Sequence, residues 1–96
     1  MSDVRIVSRG ERELKPLIEA ALANELRLIE AGIRQTERKL EDYEKRYGMS
    51  SQKFISSYEN NECDEDMEFA EWIGEFRLLG RLREKAETLR NIRIEN

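Results

Sequence analysis

Residues Leu22 to Tyr47 read LANELRLIEAGIRQTERKLEDYEKRY, and within them Leu22, Leu26, Ile29, Ile33, Thr36, Leu40, Tyr43 and Tyr47 follow one another at alternating spacings of four and three. That alternation is the heptad signature of a helix packed knobs-into-holes against a neighbour. Pro16 suits the first position of a helix, because its missing N–H would be unbonded there in any case. Gly48 stands where a left-handed C-terminal residue is expected. The pattern therefore predicts a long helix over about 16–47. At ~1.5 Å per residue it would be about 48 Å long, too long to stand uncovered in a chain of 96 residues.

The rest of the chain supplies a cover. Ser50 is placed to cap a short helix over about 51–58, with Met49 before the cap and Phe54 four positions into the helix as a hydrophobic staple. Glu59-Asn60-Asn61-Glu62 reads as a polar loop. A second long helix over about 66–91 places Phe69, Trp72, Ile73, Phe76, Leu79, Leu82, Ala86 and Leu89 on one face. The expected fold is all-α: an antiparallel, coiled-coil-like helical hairpin in one domain spanning 1–96.

The flanking charges agree with this closure. With Leu26 at heptad position a, the e positions are Ala23, Glu30, Glu37 and Glu44, whereas the second long helix carries Arg77, Arg81, Arg83, Lys85 and Arg90. An acidic flank meeting a basic one favours folding back over antiparallel self-pairing along the same seam, which would set Glu against Glu.

The ends are less regular. Ser8-Arg9-Gly10-Glu11 has capping-box spacing and predicts a short first helix within segment 1–15. Val4-Arg5-Ile6-Val7 and the tail Ile92-Arg93-Ile94 are β-prone pieces able to pair with each other or with a partner.

The first half of the main helix carries more apolar surface than a hairpin needs. Leu14, Leu17, Ala21, Leu28 and Ala31 form a second row beside the heptad seam, and after Ile33 only the seam continues. A helix apolar on two faces needs two partners. These five residues are therefore the expected interface with a second copy, giving a homodimer with a four-helix-type core, or with a different protein. Tyr47, Tyr58 and Trp72 are candidate exposed aromatic contacts, since Tyr and Trp are enriched at interface hot spots. The competing expectation is that all the aromatics, from Tyr43 to Phe76, form a small core at the turn end.

Several chemistries are disfavoured. The chain has no His, the usual general base near neutral pH and the commonest metal ligand. Its single cysteine, Cys63, lies among Glu62, Asp64, Glu65 and Asp66, whose negative charge suppresses thiolate formation. The acidic run lacks the spacing of a calcium loop, and carboxylates such as Asp66 and Glu68 have an ordinary use at a helix start. Gly32, Gly74 and Gly80 form no phosphate loop and are expected to mark close helix crossings. No catalytic residue, cofactor or metal is therefore expected.

A net charge of -4 gives no general attraction to nucleic acid, although Arg77, Arg81 and Arg83 leave a local basic face. One cysteine permits no internal disulfide, and no stretch approaches the roughly 20 apolar residues that span a bilayer. A cytoplasmic location is expected, with no membrane partner.

The run from Leu40 to Phe54, LEDYEKRYGMSSQKF, followed by Asp64-Glu65-Asp66 and Phe69-Ala70-Glu71-Trp72, resembles a group of small prokaryotic helical proteins. Many of these appear as the antitoxin-like member of a two-gene toxin–antitoxin pair. The resemblance covers roughly residues 25 to 90 and implies a non-enzymatic protein that binds a small cognate toxin-like partner. Antitoxins of many families also carry a DNA-binding segment, and none is recognisable in this sequence. The alternatives are a self-assembling structural or scaffold coiled coil and a nucleic-acid-binding regulator.

Overall fold

The computed structural model describes residues 2–5, 14–60 and 66–95. Three helices, α1 (Leu14–Tyr47), α2 (Ser51–Glu59) and α3 (Met67–Arg90), lie between two short strands, β1 (Ser2–Arg5) and β2 (Ile92–Glu95). The helix start expected at Pro16 moves to Leu14. Pro16 is then in the first turn, where backbone N–H groups have no partner within the helix, so the ring costs no hydrogen bond. The capping box at Ser8 and Glu11, Cys63, Asp64 and Glu65 lie outside the described residues.

Each helix boundary has a local cause. Gly48 takes a left-handed φ of 65°, and the Met49 N–H bonds the Glu44 carbonyl at 3.2 Å, closing α1 with a six-to-one turn. The Ser50 hydroxyl accepts the Lys53 N–H at 3.1 Å to start α2. An Asp66 carboxylate oxygen accepts the Glu68 N–H at 2.8 Å to start α3.

α1 and α3 pack antiparallel along the predicted seam. Ile29, Thr36 and Leu40 of α1 and Trp72, Ile73, Leu79 and Ala86 of α3 are buried. α2 does not lengthen the second arm; it lies against the start of α3, with Phe54 on Trp72. The strands pair in parallel, Ser2 with Ile92 through Arg5 with Glu95, so the β-prone ends meet each other. The result is a rod of 61 × 22 × 18 Å with a radius of gyration of 19.0 Å, against about 13 Å for a compact domain of this length.

Of the helix glycines, Gly32 fits the expected close approach: a Cβ there would stand 3.5 Å from Leu82 Cδ1. Gly74 and Gly80 do not fit it, since a Cβ at either meets nothing within 4 Å. Both are exposed, so in α3 they contribute only backbone entropy loss. Gly80→Ala is expected to stabilise the protein by about 0.5–1 kcal/mol, raising the thermal midpoint followed by circular dichroism at 222 nm.

Candidate interaction surface

The rod has two flanks and two ends, each with a different surface. Along one flank, Arg83 donates to Glu37 at 3.0 Å and Arg90 to Glu30 at 2.9 Å. Along the other, Lys39 pairs with Glu75 at 3.4 Å and Arg46 with Glu68. Within each flank the pairs advance seven residues on α1 while receding seven on α3, the register of an antiparallel heptad coil. In every pair the cation is solvent-exposed, while Glu68 and Glu75 are half-buried; exposed pairs contribute only about 0.2–1 kcal/mol, so the charges select register more than they hold the rod together. Glu44, third in the acidic row, departs from the expected pattern. Its carboxylate accepts the Ser51 N–H at 2.7 Å, holding the free N-terminal amide of α2.

The turn end is an aromatic core. Trp72 has no exposed surface and stacks on Phe54 with ring centroids 3.9 Å apart, while Tyr43 and Tyr47 stack against it at 5.4 and 5.5 Å. Phe69 fills the space between Phe54 and Tyr47. Trp72 is therefore core, and its candidacy as an exposed contact is withdrawn: a fully buried indole offers a partner nothing. Its N–H donates to the buried Ser51 hydroxyl at 2.8 Å. Tyr47 and Tyr58 are half-buried; the Tyr47 hydroxyl donates to Glu68 at 2.7 Å, and Tyr58 lies 6.2 Å from Phe54 between ring centroids.

Beside this core, Lys39, Asp42, Tyr43, Arg46, Glu68, Glu71 and Glu75 line an open groove of about 760 Å³. The Tyr43 hydroxyl donates to Glu71 at 3.4 Å. Burial first, and then the Glu71 charge, push the Tyr43 phenol above its ordinary 10.0. Because the folded value is the higher one, this contribution to stability is complete below pH 10 and is lost as pH rises past it. Urea unfolding between pH 8 and 11 should show a steeper loss in the parent than in Tyr43→Phe.

The opposite half of α1 is different. Of the second apolar row, Leu14 is half-buried and Leu17, Ala21, Leu28 and Ala31 are exposed, Leu17 at 63% and Leu28 at 61%. With Leu26 at position a, the row occupies positions c and f, on the side of the helix turned away from the seam. The seam itself is covered here: Lys15, Glu19 and Leu22 share a cleft with Ile92, Arg93 and Ile94 of β2, and Ile29 is buried near Leu89. Among the described residues, the chain thus uses one face of this half-helix and leaves the other open. Met67, at 81% exposure, is the remaining large exposed hydrophobic among the described residues, and it lines the groove beside Tyr43 at the start of α3.

Ser51 is not singled out by residue pattern and Glu44 reads there only as part of the acidic flank, since their roles depend on α2 folding back beside α1. Among the described residues no group of three or more Cys, Asp or Glu side chains is placed to hold a metal ion, and no helix is long and apolar enough to cross a membrane.

The architecture is that of a small antiparallel helical hairpin with a short helix buttressing its turn and a two-stranded ribbon at its open end. Compared with known proteins, the chain matches no family model, no curated protein and no solved structure.

Proposed function

We propose that this protein is a non-enzymatic protein-interaction module, an antitoxin-like protein that binds and masks a small partner through the uncovered face of α1. The observation that carries this reading is the row Leu17, Ala21, Leu28 and Ala31, exposed on a helix whose opposite face is already satisfied. Single exposed leucines need no explanation, but a row at helical spacing that ends where the same positions turn polar, at Gln35, Arg38, Asp42 and Lys45, is a bounded surface. Helix-in-groove recognition uses anchors at this kind of spacing. The resemblance over residues 25 to 90 supports a small toxin-like protein as the partner.

The test is co-expression with the product of the adjacent gene, followed by pull-down. A one-step complex at micromolar concentration is expected with the parent chain. Leu17→Glu combined with Leu28→Glu should abolish it while leaving helix content unchanged, because both side chains are exposed in the free protein. No complex with the parent chain would end the antitoxin reading.

The alternative, a self-assembling scaffold coil, is favoured by one observation: the open row has heptad spacing of its own. Light scattering separates the two readings, since a scaffold forms a fixed oligomer that ignores the co-expressed protein.

A further inference from the structure

The interaction reading above leaves open what covers the α1 face when no small partner is bound, and the following inference rests on that reading. We propose that the row is closed by the same row of a second copy of this chain, running antiparallel, so that homodimer and partner complex exclude one another.

The spacing comes first. Leu14, Leu17, Ala21, Asn24, Leu28 and Ala31 advance by three, four, three, four and three residues, a second heptad seam on the back of the first. It covers about 26 Å of helix at ~1.5 Å per residue. The row is self-complementary about its own middle. Run antiparallel, Leu17 meets the second copy's Leu28, Leu14 meets its Ala31, and Ala21 meets its Asn24. The outer layers set leucine against leucine or large against small, and the smaller central Ala21–Asn24 layers let the two helices approach. Asn24 is the polar member that such seams use to define register, and its side chain is exposed, with Oδ1 accepting from Arg27 at 3.2 Å.

Charge decides the direction. A parallel, in-register pair would continue past Ala31 by stacking Arg38 on Arg38, Asp42 on Asp42 and Lys45 on Lys45. Like charges facing each other down a dimer axis oppose association. The antiparallel pair sends these polar halves away from one another. It also leaves Arg27 opposite the second copy's Ala20 and Glu25 opposite its Ile18, so no two like charges meet along the seam. The acidic e row of α1 is not involved, since Glu30 and Glu37 are paired within the chain.

The area sets the strength. A seam about 26 Å long and ~10 Å wide is smaller than a standard stable interface, which places this dimer among weak, reversible ones. Such a dimer stores the apolar row yet yields it to a tighter partner.

Sedimentation equilibrium on the full chain between about 1 and 100 µM should show a mass rising from one chain to two. Leu17→Glu with Leu28→Glu should stay a monomer at 100 µM with unchanged far-ultraviolet circular dichroism. Direction is read in a Cys63→Ser background from two separate chains, one Leu17→Cys and the other Leu28→Cys. Oxidation should link them when mixed and should link neither with itself. A parent chain that is monomeric at 100 µM, a dimer that persists in the double Glu variant, or self-linked single-cysteine chains would each overturn the proposal. The two readings fail separately. A monomeric parent that still captures the co-expressed protein through Leu17 and Leu28 keeps the interaction reading and ends this one. A dimer that captures nothing does the reverse.

Discussion

Trp72→Ala is expected to lower stability by about 3–5 kcal/mol, the usual cost of truncating a large buried aromatic. A domain of this size has about 5–15 kcal/mol in total, so the substitution removes a large fraction of the stability and should lower the thermal midpoint markedly. Three features place the effect at the upper end. The indole has no exposed surface. It is stacked on Phe54, Tyr43 and Tyr47, and such pairs add about 0.5–1.5 kcal/mol beyond burial. Its N–H is bonded to a buried hydroxyl, Ser51, that would lose its donor. Trp72→Phe separates the terms, because it keeps a ring in the stack and removes only the N–H and part of the volume. Urea unfolding followed by circular dichroism should give the order parent, Trp72→Phe, Trp72→Ala. A Trp72→Ala protein within 1 kcal/mol of the parent would contradict the packing described.

Phe54→Ala should have a comparable cost, about 3–5 kcal/mol, with a different structural consequence. Phe54 is 2% exposed and is the side chain by which α2 holds to the rod, touching Trp72, Phe69 and Tyr58. α2 has nine residues, well below the length at which an isolated helix is stable in water. Without Phe54 it keeps the Ser50 cap, the bonds of Ser51 to Glu44 and Trp72 and the half-buried Ile55 and Tyr58, which cannot replace the lost burial. Amide exchange should therefore accelerate over Ser51–Glu59 before it does so in the middle of α1. Because Phe54 and Trp72 are in contact, the double variant should cost less than the two single costs added together. Full additivity would mean that α2 and α3 do not share one core.

The two ends of the molecule respond to different changes. Aromatic substitutions at the turn end act on folding. Leu17 and Leu28 lie some distance along the rod and are exposed, so substitutions there are expected to leave the monomer's fold almost unchanged and, on the function proposed above, to act on association. A variant that loses partner binding through the turn end would do so by unfolding, and the far-ultraviolet spectrum distinguishes that case.

Much of the hairpin is legible in the chain alone because heptad spacing and turn residues are local signals. The alternation from Leu22 to Tyr47 defines one seam, Gly48 and Ser50 mark the break, and Asp66 marks the start of the returning helix. Glu30 and Glu37 read as an acidic flank, and the structure pairs them with Arg90 and Arg83. The second apolar row was equally readable, since it needs only residue type and position.

What the tertiary structure decided is which surfaces remain. Trp72 is polar at one atom and apolar elsewhere, so its type alone suits a core or an interface; α2 folding over it makes it core. Ser51 and Glu44 gained their roles because a helix start was brought beside a carboxylate seven residues earlier in the chain. The β-prone ends could pair with each other or with a partner until the rod set Ser2–Arg5 beside Ile92–Glu95. Periodicity states that a helix has an apolar face, but only the placement of its neighbours states whether that face is already covered. On that distinction Leu17, Ala21, Leu28 and Ala31 become the uncovered apolar surface of α1 among the described residues.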